Sequence, residues 1–244
     1  YGQRDAPYRF YASLTEQLSH LGFLPCKNDV CMYYHKERNI RVATHVDDLM
    51  CRASKGQSEW FWLQLKQQYK LKSWAYVTAE ESRVYLAMNI SLEHVNGTRR
   101  YSIDQNADVA SFLADQEYLR LRPVKSPVSH KHALYADRTL ATPKEATWFR
   151  SVLMSMAFFS TTTRLDISHT ISRLAQHMSS PTVSCIAETK RLIAYLMYRP
   201  TFTLTVLRTG GPDKWDFYVD SDHAGDQNNN TRSQTGIVLL LNEM

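Results

Sequence analysis

The stretch "RVATHVDDLMC", residues 41–51, decides the reading of this chain. "IRVATHV" is a largely apolar run that reads as a strand, and "LMCRA" reads as another after two adjacent carboxylates, Asp47 and Asp48. The pattern predicts a hairpin with an acidic pair at its bend. Two carboxylates about 4 Å apart repel by roughly 4 kcal/mol at an effective dielectric near 20. Left alone, one of them would keep its proton. A divalent cation removes that cost, because hard oxygen donors on a tight turn suit Mg²⁺. Two such ions clamp the attacking and leaving oxygens in phosphoryl transfer. The apolar flanks predict that the pair is held near a core. An exposed Asp-Asp turn is otherwise common and carries no meaning by itself.

Working outward, "VCMYYHK" before the hairpin reads as a further strand, joined through "ERN". Upstream, Pro7 precedes a helical repeat of Phe10, Tyr11, Leu14, Leu18 and Leu21, with Gly22 where a C-terminal cap belongs. Downstream, an amphipathic helix is expected around Trp60–Tyr69, and Trp60, Phe61 and Trp62 cannot all face one core. "RVYLAMNISLE" reads as one strand, followed by a hairpin turn at Asn96-Gly97 and the strand "RYSID". A helix capped by Asp104 or Asn106 is expected to run to about Tyr118. "RLRPVKSPVSHKHALYADRTLATP" reads as a linker. Helices follow at about 143–160, 166–179 and 184–198, the second with Ile167, Ile171, Leu174 and Met178 on one face. The strands "FTLTVLR", "WDFYVDS" and "QTGIVLLL" complete the chain.

The 244 residues are 43% hydrophobic and 22% charged, which fits folded domains rather than disorder. No apolar run has the length of a membrane-spanning helix, so no membrane partner is expected. Net charge is +5 and the pI about 9.0, which permits a polyanionic partner. None of the four cysteines forms a Cys-x-x-Cys pair, so zinc is not expected and an intracellular setting is the plain reading. The opening residues lack an initiator Met and a signal sequence, and the chain is expected to be a fragment of a longer one.

Several stretches, taken in order, resemble the reverse transcriptase of copia-type LTR retrotransposons. "YGQRDAPYRFY" resembles the family's Tyr-Gly-Leu-Lys-Gln-Ala-Pro-Arg-x-Trp-Tyr, "HVDDLM" its Tyr-Val-Asp-Asp hairpin, and "YLAMNI" its Phe-Leu-Gly-x-x-Ile strand. "FRSVLMSMAFFSTTTRLDISHTISRLAQHMSSP" is similar to the segment containing Thr-Arg-Pro-Asp-Ile, and "AETKRLIAYL" to Ala-x-Lys-Arg-x-Leu-x-Tyr-Leu. "YVDSDHAGDQNNNTRSQTG" is similar to the start of the family's RNase H domain.

The resemblance implies an α+β chain: a partial polymerase palm of antiparallel sheet and helices, a helical thumb or connection region, and truncated RNase H-like strands. The expected divisions are 1–95, 96–209 and 210–244. It implies that Asp47 binds catalytic Mg²⁺, that Asp48 assists or supports the turn, and that Asp220 belongs to the RNase H metal site. Gly2 would let the incoming nucleotide approach the backbone, and Arg4 would face phosphates. His45, in place of the usual Tyr, and Arg99, Arg100, Arg120, Arg122 and Lys125 are candidates for nucleic-acid contact. The implied partners are an RNA or DNA template-primer, a dNTP and upstream polyprotein segments, in a cytoplasmic virus-like particle or the nucleus.

The family's polymerase site needs a further Asp from a strand before the "YG" stretch, and later acidic residues of RNase H are absent. The expectation is therefore a fragment of an RNA-directed DNA polymerase that does not polymerise alone. The alternative is a degenerate or co-opted nucleic-acid-binding remnant without chemistry. Asp5 in place of a common Gln, and Leu165 in place of the motif's Pro, depart from the family pattern.

Overall fold

A computed structural model describes residues 4–71, 73–115, 118–129, 134, 136–207, 214–221, 233 and 235–241. The chain divides into two compact units, 1–76 and 77–244. Residue 95 ends one strand of a hairpin inside the second unit. Among the described residues every strand pairing is antiparallel, and runs of strands and runs of helices succeed one another along the chain, compatible with an α+β reading. Among the described residues, no helix is long and apolar enough to cross a membrane.

The first unit runs α1 (Ala6–His20), β1 (Leu24–Pro25), β2 (Met32–His35), β3 (Ile40–His45), β4 (Asp48–Arg52) and α2 (Lys55–Gln68), with the strands in sheet order β1-β2-β3-β4. Helix α1 ends as its sequence predicts. Gly22 takes φ +87°, the Phe23 amide donates to the Leu18 carbonyl at 2.9 Å, and the Gly22 amide donates to that of Ser19. This is a Schellman cap, and Leu18 and Phe23, which it brings together, are both buried in one core.

That core lies between the helices and one face of the sheet: Leu14 and Leu18 from α1, Tyr33, Ile40 and Val42 from the strands, Phe61 and Leu65 from α2. Each such fully buried side chain contributes about 1.5–3 kcal/mol. Of the three aromatic neighbours on α2, Phe61 is the one in the core. Trp60 lies under the Arg38 guanidinium at 3.8 Å, and Trp62 stacks on Trp74, so both flanking rings find partners at the margin.

Among the described residues the second unit contains a sheet of order β5-β6-β7-β8 and four α-helices. The expected single strand "RVYLAMNISLE" is in fact two, β5 (Arg83–Tyr85) and β6 (Met88–Val95), because Leu86 and Ala87 turn the chain with φ of +50° and +59°. The next turn is the expected one: Asn96 and Gly97 take positive φ between β6 and β7 (Thr98–Asp104). Strand β8 (Thr203–Leu207) pairs with β7 across about a hundred residues, Asp104 opposite Thr203.

Helices α3 (Asn106–Leu113), α4 (Pro143–Thr162), α5 (Ser168–Ala175) and α6 (Val183–Tyr198) build the second core from residues including Val109, Phe149, Leu153, Met156, Ile171, Leu174, Leu192 and Ile193. A capping box starts α4: Thr142 Oγ1 accepts from the Glu145 amide, and the Glu145 carboxylate accepts from the Thr142 amide.

The stretch expected to be a linker is stitched to α6 and to the turn before it. Val124 N–H donates to the Ala194 carbonyl, Ser129 donates through both its amide and its hydroxyl to Glu188, and Ala141 N–H donates to Pro181. Its prolines and lack of period mark an irregular strap. Strands β9 (Trp215–Ser221) and β10 (Thr235–Leu241) form a two-stranded ribbon with Val219 opposite Ile237. Consecutive residues Phe217, Tyr218 and Val219 are all exposed, so both faces of the ribbon are apolar.

Candidate active-site hairpin

The acidic pair sits at a two-residue hairpin. His45 and Asp48 are opposite each other as the last pair of β3 and β4, and Val46 and Asp47 make the turn. Val46 has φ +52°. A β-branched residue seldom adopts this left-handed backbone, and such strain persists where the surrounding structure enforces it, often at functional sites. The two strands enforce it here, since a two-residue loop between paired strands needs positive φ at one central position at least.

Alternation along β3 turns Ile40, Val42 and Thr44 inward and leaves His45 outside. Beyond Thr44 the hairpin passes the edge of the core, so Val46, Asp47 and Asp48 are exposed. The apolar flanks do reach the core, but the carboxylates do not: they project into solvent from the tip, where water screens their repulsion. Behind the tip, burial pushes the Cys51 thiol on the inner face of β4 up to about 11, and it is an inert filler there.

His45, Asp47 and Asp48 are thus brought together at one turn. Arg4 belongs to the same unit, exposed in the turn before α1, and Gly2 lies outside the described residues. Asp5, which departs from the family pattern, forms an exposed ion pair with Arg9 at 2.6 Å, so its negative charge is locally offset. The remaining candidates lie in the second unit. Arg99 and Arg100, adjacent in β7, point to opposite faces of the sheet: Arg99 is opposite His94, while Arg100 is opposite Glu93 and 3.9 Å from its carboxylate. Arg120, Arg122 and Lys125 are exposed on the strap, and Asp220 is exposed in β9 opposite Gly236.

A two-ion magnesium site needs more donors than the hairpin offers. Among the described residues no three His, Cys, Asp or Glu side chains converge. Asp47 and Asp48 have the right hard-oxygen chemistry, but by themselves they do not fit the complete set.

The sequence reading assigned no role to the "TRLD" segment, and the structure gives it a definite one. Arg164 is fully buried and donates through Nε and Nη2 to the two oxygens of Asp166, at 3.0 and 2.9 Å. The Tyr195 hydroxyl from α6 donates to the same carboxylate at 2.8 Å. Burial pushes the Asp166 carboxyl up, but the bonds from Arg164 and Tyr195 and the charges of Arg164 and Arg199 outweigh it and hold it below the usual carboxylate value. This buried clamp fixes the α4–α5 corner against α6. A basic and an acidic residue two apart, alternating with Leu165 and Ile167, is the signal that could have revealed it. Leu165, between them, is exposed, so its departure from the family's Pro leaves the clamp intact.

No family model matches the chain, and no solved structure matches it. It is 26% identical over 98% of its length to the Retrovirus-related Pol polyproteins from transposons RE1 and RE2 of Arabidopsis thaliana, and it spans 16% of the length of each. It is 23% identical over 99% of its length to the Ty5-1 transposon protein of Saccharomyces cerevisiae, of which it covers 76%. These alignments span nearly the entire chain, and they make it a relative of the Pol polyproteins of copia-type transposons.

Proposed function

We propose that the chain contributes the carboxylate hairpin of a retrotransposon RNA-directed DNA polymerase, the first unit forming part of its palm and the helices of the second unit its thumb or connection. The single observation behind this reading is the strained two-residue turn that presents Asp47 and Asp48 together at a sheet tip. In this reading the two carboxylates supply part of a Mg²⁺ set, completed by a carboxylate from another Pol segment. Bound magnesium would supply charge neutralisation for nucleotidyl transfer onto a primer 3′ end. The chain's own part is to hold two hard oxygen donors at a fixed separation, with His45 beside them as a ring for packing near the primer. Asp220 and the β9–β10 ribbon are read as the opening of an RNase H-like domain. The partners are a template-primer, a dNTP and the upstream Pol segments.

Primer extension on a primed RNA template with Mg²⁺ tests this. The 244-residue chain alone is expected to incorporate nothing. Joined to its native upstream segment it is expected to incorporate dNTPs in a template-dependent way, and Asp47→Asn should reduce incorporation to background. Undiminished incorporation by the Asp47→Asn protein would refute the assignment.

A further inference from the structure

Two buried donors in one small part of the second unit have no acceptor. The clamp at Arg164 uses Nε and Nη2; the third nitrogen, Nη1, is buried and hydrogen-bonds to nothing among the described residues. The same holds for Nε2 of Gln105, whose Oε1 accepts the Thr163 hydroxyl at 2.8 Å. Gln105 is 2% exposed and Arg164 1%, so bulk water does not serve them. The two donors belong to one closed ring of contacts. Gln105 bonds Thr163, which precedes Arg164. The Arg164 guanidinium carbon lies 5.6 Å from the centre of the Phe202 ring. The Phe202 amide donates to Asn106 Oδ1 at 2.9 Å, and Asn106 follows Gln105. The ring joins the start of α3, the end of α4 and the entry to β8.

A buried donor without an acceptor is costly, more so on a charged group, and native structures seldom leave one. The local acceptors are already engaged. The Phe159 carbonyl takes the Thr163 and Arg164 amides, the Thr163 carbonyl that of Leu165, and the Arg164 carbonyl that of Ile167. Asp166 accepts two bonds from Arg164 and one from Tyr195. Asp104, which precedes Gln105, is held by the Asn89 side chain and the Asn106 amide. What is left to bind a guest is donors only, two hydrogens on each of the two nitrogens. That selects the guest. A water molecule brings two hydrogens of its own that need acceptors, whereas a halide only accepts. Arg199, with its guanidinium carbon 5.0 Å from the centre of the same Phe202 ring, adds positive charge to the neighbourhood. We infer that the second unit binds a chloride ion between Arg164 Nη1 and Gln105 Nε2, as a structural ion that ties α3 and β8 to the α4–α5 corner. The burial of both donors excludes a phosphate carried by a polymer, and the inference is independent of the function proposed for the hairpin.

The test is hydrogen exchange of the 244-residue chain at fixed ionic strength, with sodium chloride replacing sodium gluconate step by step. A ligand held only by the folded state slows exchange through unfolding by about tenfold at ten times its dissociation constant. Amides of α4 and α6 are expected to slow in this saturating way, and those of β3 and β4, in the other unit, to stay unchanged. Gln105→Glu places a carboxylate oxygen beside Arg164 Nη1 in the ion's stead and keeps an acceptor for Thr163. In that variant the α4 and α6 amides are expected to exchange slowly in gluconate and to gain nothing from chloride. Exchange in the parent that is indifferent to chloride would overturn the inference and leave an enclosed water as the acceptor. So would equal slowing in both units, or a chloride effect that survives in the Gln105→Glu variant. Crystals of the parent soaked in sodium bromide give a reading that needs no variant. An anomalous peak is expected between the two nitrogens, and its absence there would equally overturn the assignment.

Discussion

Replacing Val46 by glycine should stabilise the first unit, although it deletes a side chain. An L-residue in the left-handed region costs about 1–2 kcal/mol, and a β-branched one belongs at the upper end. The Val46 side chain is 61% exposed, so its removal gives up little burial. Glycine returns about 0.4–1 kcal/mol of conformational freedom to the unfolded chain. The balance is about 0.5–1 kcal/mol in favour of the folded hairpin. Hydrogen exchange of the intact chain, read at the β3 and β4 amides, should slow by about two- to fivefold, since 1.4 kcal/mol is a factor of ten. Val46→Asn, with a side chain that tolerates left-handed backbone, should give part of the gain, and Val46→Ile none. Faster exchange in the glycine variant, or equal slowing in the isoleucine one, would refute the argument that this turn stores strain.

Two further outcomes follow from geometry elsewhere. Ala87, at φ +59°, stands where the resembling family has Gly, so Ala87→Gly should raise the urea midpoint by an amount equivalent to about 0.5–1 kcal/mol with an unchanged m-value. The Asp166 carboxyl is held below its unfolded value of about 3.9, so its contribution is fully present above that pH and is lost as pH falls through the lower folded value. Asp166→Asn should cost about 3–5 kcal/mol at neutral pH by leaving Arg164 buried without its counter-charge, and should flatten the acid limb of stability against pH. Chemical denaturation between pH 3 and 7 measures both effects.

Local signals carried much of this fold. The Leu14–Leu18 period with Gly22, the strand–Asp-Asp–strand hairpin and Asn96-Gly97 each write their structure in adjacent residues, and each appears, the hairpin with its bend shifted one residue to Val46-Asp47. The departures arise where distant residues decide. Leu86 and Ala87 are apolar and look like strand interior, yet closing β5 onto β6 forces both into positive φ. The strap at 120–143 has no period of its own, because its bonds go to the α6 backbone and to Glu188. Apolar flanks predicted a sheltered acidic pair, but two residues of overhang were enough to carry it past the core. Arg99 and Arg100 read as a cluster in one dimension, and the pleat separates them. The clamp at Arg164 needed Tyr195, which is 31 positions away.

The β9–β10 ribbon has a practical consequence. A pair of strands with aromatic and aliphatic groups on both sides offers itself to any similar ribbon, so the preparation is expected to be sticky and its behaviour to depend on concentration. Tyr218 and Val238 face each other across the ribbon, and a lysine at either position would give one side a charge that neighbouring molecules repel. Such a variant should remain in solution at concentrations where the parent precipitates, and it is the form in which to make the measurements above.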